Sequence, residues 1–157
     1  MLQSKRAKQF QSFLDDRGLG LKVVELPDSS RSAAEAAQAL GCAQEQIVKS
    51  LVFQKLDTEE AILVLASGTN RVNEEAISAF VGGPIGRPDA KFVKNVTGFS
   101  IGGIPPLGHK QQLTVYVDED LLTYDEVWAA AGTPNAVFMM PGNLPDIVGD
   151  HQVVCVK

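Results

Sequence analysis

The segment from Gly98 to His109 contains four glycines and two prolines in twelve residues, and it constrains the fold more than any other stretch of the chain. Proline fixes φ and removes a backbone donor, and glycine permits positive φ and close backbone approach. Neither a helix nor a central strand can therefore run through this segment. We expect a stiff loop whose free N–H groups can hold a carbonyl oxygen, a carboxylate or a phosphate. On composition alone, a purely structural turn is the alternative.

The chain has 157 residues, of which 45% are hydrophobic and 21% charged, which is typical of one globular domain spanning residues 1–157. Its net charge of −5 argues against a surface that coats duplex DNA, although a local basic pocket for one terminal nucleotide stays open. No apolar run is long enough to cross a membrane, and the polar N-terminus does not look like a secretory signal. We therefore expect a cytoplasmic protein with no membrane partner.

No metal or other cofactor is expected. The two cysteines, Cys42 and Cys155, suit a reducing compartment and have no metal-type spacing. Together with His109 and His151 they could in principle supply four ligands, but these residues are scattered along the chain. The sequence also lacks a phosphate-binding P-loop and a dinucleotide-binding glycine fingerprint.

Hydrophobic periodicity and capping residues predict an α+β domain. Helices are expected over residues 4–17, 32–40, 73–80, 89–96 and 144–148. Strands are expected over residues 21–26, 50–56, 61–66, 113–118, 136–140 and 151–156. Residues 125–131 are ambiguous, because their alanine content favours a helix while the turn chemistry that follows favours a hairpin. Hairpins mixed with segregated helices indicate α+β rather than a doubly wound parallel sheet.

One motif suggests a serine hydrolase. Residues 98–102 match the pattern G-x-S-x-G, with Ser100 as nucleophile, and Asp118 or Asp120 followed by His151 would complete a triad in chain order. The motif requires a strand before the serine and a helix after it. Here a helix is predicted before Ser100 and prolines follow, so the context argues against a nucleophile elbow.

Three basic residues each have two interpretations. Lys49 stands at the start of an apolar strand, where it either reaches outward to solvent or holds an anion. Arg71 lies in the loop that follows the next strand, where it is either solvated or contacts a phosphate. His109 ends the glycine–proline loop and serves either in packing and capping or in chemistry.

Several of these stretches, taken in order, resemble the YbaK / prolyl-tRNA-synthetase-associated editing domains. They are residues 30–37 (SRSAAEAA), residues 46–53 (QIVKSLVF) and residues 63–73. The most specific is residues 102–109 (GGIPPLGH), which is similar to that family's G-x-x-x-P loop with its trailing glycine and histidine. The resemblance covers roughly residues 4–154 in the family's order.

The resemblance implies a free-standing aminoacyl-tRNA deacylase built on a mixed, largely antiparallel sheet with helices around it. In that family the matching loop holds the scissile carbonyl through N–H groups, a role that falls on Gly102 and Gly103. The matching lysine, Lys49, lies in the substrate pocket. The resemblance also implies that residues 125–140 form a hairpin, which makes up one wall of the pocket. The further substrate-binding residues implied are Ser50, Arg71, Pro106, His109, Ala129, Ala130, Ala131 and Gly132.

The substrate implied is mischarged tRNA, most often proline tRNA carrying a small amino acid such as alanine or cysteine, bound at its acceptor end. Water would attack the activated ester, the loop would stabilise the oxyanion, and the ribose hydroxyl of the substrate would act as base. The pocket hairpin departs from the best-known patterns at residues 129–135, so the amino acid stays open. The alternatives are a non-catalytic acceptor-end binding module and a serine esterase. A complex with prolyl-tRNA synthetase is a further expectation.

Overall fold

The computed structural model describes residues 2–27, 29–30, 32–141 and 147–157. Its α-helices are α1 (Lys5–Asp16), α2 (Ala33–Leu40), α3 (Glu74–Val81) and α4 (Ala90–Thr97). Its strands are β1 (Val23–Glu25), β2 (Val48–Lys55), β3 (Ala61–Ser67), β4 (Ile85–Gly86), β5 (Thr114–Asp118), β6 (Glu126–Ala130), β7 (Ala136–Pro141) and β8 (Gln152–Val154). Short 3₁₀ helices cover Gln44–Gln46 and Glu119–Thr123.

The helices begin and end where local chemistry predicts. The residues that cap their N-termini, each accepting a hydrogen bond from a first-turn amide, are Ser4, Ser32, Asn73 and Asp89. The last three helices end at glycines in the left-handed conformation, namely Gly41, Gly82 and Gly98. The four helices that lie wholly within the described residues are thus confirmed. Residues 144–146 of the fifth predicted helix lie outside the described residues.

The larger sheet has five strands in the order β4-β2-β3-β5-β8. Strands β2 and β3 form the predicted antiparallel hairpin, whereas β3–β5 and β5–β8 pair in parallel. Every residue of β3 is buried, because this strand is central and both of its faces are covered. Position 49 faces Ala66 across the hairpin, which places the start of β2 beside the end of β3.

The smaller sheet has the order β1-β7-β6 and contains an antiparallel β6–β7 hairpin. The ambiguous segment is therefore extended, and the strand–turn–strand interpretation is confirmed. An isolated bridge between Ile47 and Trp128 joins the two sheets at the start of β2. Together the two sheets give the predicted α+β class with mixed, largely antiparallel pairing. Strand β4 was not predicted from the sequence.

The core lies on both faces of the larger sheet. Helix α1 supplies Phe10, whose ring centroid is 5.2 Å from that of Phe138 on β7. On the opposite face Ile77 of α3 packs in a cluster with Phe53 and Tyr116. A third cluster, around Ala36 and Ala37 of α2, contacts the seam between the sheets. These packings leave an open cavity beside the seam.

Candidate active site

A cavity of about 270 Å³ opens where four segments distant in sequence meet. The segments are the start of α2, the first half of β2, the glycine–proline loop and the β6–β7 hairpin. Among the described residues that line this cavity, Lys49 is the only charged one. The lining residues are Ser30, Ser32, Ala33, Ala36, Ile47, Val48, Lys49, Ser50, Leu51, Ile101, Gly102, Ile104, Trp128, Ala129, Ala130, Pro134 and Val137.

The ammonium group of Lys49 is held at the wall of this cavity. Its Nζ donates a hydrogen bond of 2.6 Å to the backbone carbonyl of Asn70, in the loop after β3. Burial lowers the pKa of Lys49, and the charge of Asp118 partly offsets that effect. An ammonium group has three donors, so two remain for a ligand. This arrangement favours the anion-holding interpretation of Lys49 over the solvent-reaching one.

The hydroxyl group of Ser50 is the second polar feature. Its Oγ is buried and has no hydrogen-bond partner among the described residues. Buried hydroxyl groups are normally paired, because desolvating them without a partner is unfavourable. Ser50 lines the main cavity and an adjacent smaller one that also touches Ile101 and Ile104. Ser50 therefore lines both cavities, and its hydroxyl group is unpaired among the described residues.

The glycine–proline loop uses the two predicted amide donors differently. The Gly103 amide donates to the Ser100 carbonyl at 3.0 Å and closes a tight turn, and the Gly103 carbonyl accepts from the Gly132 amide at 3.0 Å. The expectation that Gly103 offers a free donor is therefore wrong. A Cβ atom at this position would lie 2.9 Å from the backbone of Thr133. Gly103 is thus the point where the loop packs on the hairpin.

Gly102 remains available. It lies on the cavity wall with a φ of +95°, a conformation that favours glycine. Within the described part of the chain its amide donates no hydrogen bond. Of the two predicted donors, the turn leaves only the Gly102 amide unoccupied. Gly102 lines the same cavity as Lys49.

The β6–β7 hairpin forms the opposite wall. Ala129 and Ala130 line the cavity as predicted, and alternation along β6 places Trp128 on the same face as Ala130. The prediction that Ala131 and Gly132 also line it is wrong, because neither is among the described residues that line the cavity; both are buried where the hairpin turns. Ala131 belongs to the core, and Gly132 is engaged by the glycine loop.

The structure places Pro106 and His109 away from this cavity. Both line a separate depression beside Arg17 and Gln111. His109 Nε2 is 2.7 Å from the carbonyl oxygen of Pro105, so it donates a hydrogen bond that braces the loop. Burial lowers the pKa of His109, and the bond to the Pro105 carbonyl partly offsets this. Substrate binding by Pro106 and His109 stays a prediction, and the contact between His109 and the Pro105 carbonyl fits the packing role of this histidine.

Arg71 is exposed and does not line the cavity. It directly follows Asn70, the residue whose carbonyl holds Lys49. Among the described residues it forms no ion pair. A phosphate contact by Arg71 stays a prediction.

The geometry does not assemble the serine triad. Ser100 follows helix α4 rather than a strand, and its carbonyl closes the turn with Gly103. The Oδ2 of Asp118 accepts from the Ser67 amide and from Asn70, and His151 Nδ1 lies 2.7 Å from the Gly149 carbonyl. These contacts direct Asp118 and His151 elsewhere.

No group of three or more metal-ligating side chains comes together among the described residues. None of their helices is both long and apolar enough to cross a membrane.

Sequence reasoning missed several cavity residues, notably Trp128, Pro134 and Val137 on the hairpin. The period-two alternation of residues 126–130 could have placed Trp128 beside Ala130 once the segment was read as a strand. Ile101 and Ile104, which flank the two glycines, were also missed, since their contacts depend on how the loop folds back.

The fold and the cavity define a small α+β domain with a pocket that is lined by one lysine and by a glycine whose amide is unoccupied among the described residues. The model of the family "Aminoacyl-tRNA editing domain" matches residues 28–147. The chain therefore belongs to the aminoacyl-tRNA editing domain family, and the resemblance seen in the sequence is confirmed.

Individual relatives agree with this assignment. The uncharacterized protein YwhH of Bacillus subtilis is 29% identical over 125 residues, which is 79% of each chain. A proline–tRNA ligase of Brachyspira hyodysenteriae is 28% identical over 102 residues, covering 64% of this chain but 17% of the ligase. A solved structure of a candidate trans-editing enzyme for prolyl tRNA synthetase is 47% identical, covers 99% of both chains and has a TM-score of 0.92.

Proposed function

We propose that this protein hydrolyses the ester bond of mischarged tRNA, with the aminoacyl group bound in the cavity beside Lys49. The observation that carries the proposal is the meeting of the Lys49 ammonium group and the unoccupied Gly102 amide on one cavity. Family membership gives the reaction class, and a matching proline–tRNA ligase suggests that the tRNA is proline tRNA.

The mechanism needs little from the protein, because an aminoacyl ester is already activated. A water molecule attacks the carbonyl carbon, and the developing oxyanion accepts a hydrogen bond from the Gly102 amide. One such donor is typically worth about 3 kcal/mol of transition-state stabilisation. Lys49 attracts either the terminal phosphate or the carbonyl oxygen. The vicinal ribose hydroxyl of the substrate accepts a proton from the attacking water and passes its own proton to the departing ribose oxygen as the ester bond breaks, so orientation is the main contribution of the protein.

The size of the cavity favours a small amino acid. Its volume is about 270 Å³, and it is open to solvent on one side. This space suits a residue such as alanine, cysteine or serine together with part of the ribose. Proline must be spared, since cells need prolyl-tRNA. A single methylene contributes only about 1–3 kcal/mol of discrimination, so proline is excluded by the shape of its ring.

In this proposal, the part of the tRNA acceptor end outside the cavity passes over Ile101. This side chain is 60% exposed and lines both the main cavity and a neighbouring surface depression that contains Lys91, Lys94 and Asn95. Phosphates of a single strand passing over Ile101 would meet these two lysines. Prolyl-tRNA synthetase is the partner that would supply such a substrate.

A deacylation panel tests the function. Proline tRNA charged in turn with alanine, cysteine, serine, threonine, 2-aminobutyrate and proline is incubated with the protein, with other correctly charged tRNAs as controls. We expect rapid release of at least one small amino acid, with prolyl-tRNA spared. Tight acceptor-end binding without hydrolysis of any substrate would instead identify a non-catalytic binding module. Ser100→Ala should leave the rates unchanged, and loss of turnover in that variant would favour the esterase.

A further inference from the structure

We propose that Asn70 is a positioning residue that keeps the Lys49 ammonium group charged, fixed and directed at the substrate. This inference rests on the proposed function, in which Lys49 acts. Asn70 does not line the cavity. It acts through its backbone carbonyl, which accepts the 2.6 Å hydrogen bond from Lys49 Nζ.

The side chain of Asn70 fastens this carbonyl in place. Its amide nitrogen donates to Asp118 Oδ2 at 2.7 Å and to Asp120 Oδ2 at 2.8 Å. A primary amide has two N–H donors, so the donor capacity of Asn70 is fully used. The Asn70 backbone amide also donates to the Ser67 carbonyl at 2.9 Å. A residue bonded at these three points has little freedom to move its carbonyl.

The two aspartates are themselves held. Asp118 is fully buried at the end of β5, where Oδ2 also accepts from the Ser67 amide at 2.9 Å and Oδ1 accepts from the Asp120 amide at 2.9 Å. Asp120 forms a 3.0 Å ion pair with Lys157. Four parts of the chain therefore meet behind Asn70. They are the end of β3, the end of β5, the 3₁₀ helix that follows β5, and Lys157.

This arrangement has an electrostatic consequence. If Lys49 contacted a carboxylate directly, the pair would be locally neutral and would attract an anionic ligand weakly. Here its contact is a neutral carbonyl, while the Asp118 charge acts on it without a hydrogen bond between them. The nearby carboxylate offsets part of the unfavourable burial, and Asn70 stands between the two charges. The ammonium group thus keeps two donors that no described residue uses.

Asn70→Ala removes both side-chain anchors of this residue and the amide group that lies next to Asp118, and it leaves the backbone bond to Ser67 as the one remaining anchor among the described contacts. We expect Lys49 to turn toward Asp118, which lowers kcat for deacylation on the order of tenfold while KM changes much less. The matched control is Asn73→Ala. This asparagine lies three residues on, and its side chain caps α3 and makes no hydrogen bond to Lys49. Its loss should lower Tm by about 2–4 °C without changing kcat.

A double-mutant cycle separates positioning from general structural damage. If Asn70 acts through Lys49, then Asn70→Ala should not slow hydrolysis further in a Lys49→Ala background. Asp120→Asn, at the half-exposed end of the network, provides a second variant should Asn70→Ala fail to fold. It should lower kcat by a smaller factor, and again only when Lys49 is present.

The outcomes are distinguishable. Wild-type kcat in both Asn70→Ala and Asp120→Asn, or equal losses with and without Lys49, would overturn the positioning role while leaving the proposed function intact. Full activity of Lys49→Ala would contradict the role of Lys49 itself. A panel in which no aminoacyl-tRNA is hydrolysed would contradict the proposed function, whatever Asn70 does.

Discussion

Gly103 is the residue at which the glycine–proline loop meets the β6–β7 hairpin. Its carbonyl accepts from Gly132, and a Cβ atom here would lie 2.9 Å from the Cα and nitrogen atoms of Thr133. Because those neighbours are backbone atoms, they cannot move aside easily. We expect Gly103→Ala to lower the free energy of unfolding by about 1–3 kcal/mol, measured by denaturant unfolding.

Gly86→Ala is the matched control for this prediction. At Gly86 the nearest atom to an added Cβ is the flexible Leu56 side chain at 3.1 Å, so the change should be smaller. A Gly103→Ala protein as stable as the wild type would show that the loop and hairpin are not packed as described.

His109 links stability to pH. Burial lowers its pKa below the ordinary value of 6.5, so the folded protein resists a proton that the unfolded chain accepts. Below about pH 6.5 the unfolded state binds more protons at this residue than the folded state does. The contribution of His109 to stability therefore decreases as the pH is lowered. We expect His109→Gln to weaken the decline of Tm between pH 7 and pH 5. A decline of Tm in His109→Gln that is as steep as in the wild type would contradict this assignment.

At the scale of elements, the β6–β7 hairpin forms the wall of the cavity in which we propose that the amino acid binds. Ala130 lines the cavity from the same strand face as Trp128. Ala130→Val adds two methyl groups there and should reduce kcat/KM for larger aminoacyl groups more than for alanine. Since one methylene is worth about 1–3 kcal/mol, we expect a selectivity change of roughly tenfold.

The comparison that checks this prediction is the ratio of alanine to 2-aminobutyrate release by the wild type and by Ala130→Val. Val24→Ala, on the exposed side of β1, serves as a surface control. An unchanged ratio would mean that the amino acid does not occupy the hairpin side of the cavity.

The sequence predicted elements well where the signal is local. Helix caps and terminal glycines depend on neighbouring residues, so all four helices that lie wholly within the described residues were predicted closely. The two-residue strand β4 was not, because it depends on pairing with distant Gln54 and Lys55. Strand β6 was ambiguous, since alanine propensity favoured a helix and tertiary pairing with β7 decided otherwise.

The candidate site was predicted only in part, because some of its features depend on loop conformation and not on the local sequence. Lys49, Ser50, Gly102, Ala129 and Ala130 line one cavity, as expected from the resemblance. Gly103 lost its predicted donor role because the turn with Ser100 is a property of loop conformation, which composition does not specify. His109 follows the loop in sequence, yet its side chain turns to Pro105 rather than to the cavity.

At the scale of the whole molecule, the net charge of −5 limits contacts with nucleic acid to a small surface. Lys91 and Lys94 lie three residues apart on α4, form no ion pair among the described residues and border the depression next to Ile101. We expect tRNA binding to neutralise on the order of one to three phosphates, seen in the salt dependence of Kd. The double variant Lys91→Ala/Lys94→Ala should reduce the slope of log Kd against log salt concentration by about 1–2.

The matched control is the double variant Lys5→Ala/Lys8→Ala. It makes the same charge change at the same spacing on α1, away from the main cavity and from the depression next to Ile101. It should leave the slope nearly unchanged. Equal effects of the two double variants would indicate diffuse attraction rather than a defined path, and a slope corresponding to about eight or more phosphates would contradict an acceptor-end contact.

The most direct test is the single-turnover rate of Lys49→Ala on the mischarged proline tRNA that the wild type hydrolyses fastest. Lys22→Ala, a change at an exposed lysine outside the cavity, is the control. We predict a rate lower by on the order of 100-fold for Lys49→Ala, with the folded state retained and the control at wild-type rate. A Lys49→Ala rate within about twofold of the wild type would contradict the assignment of this cavity as the editing site.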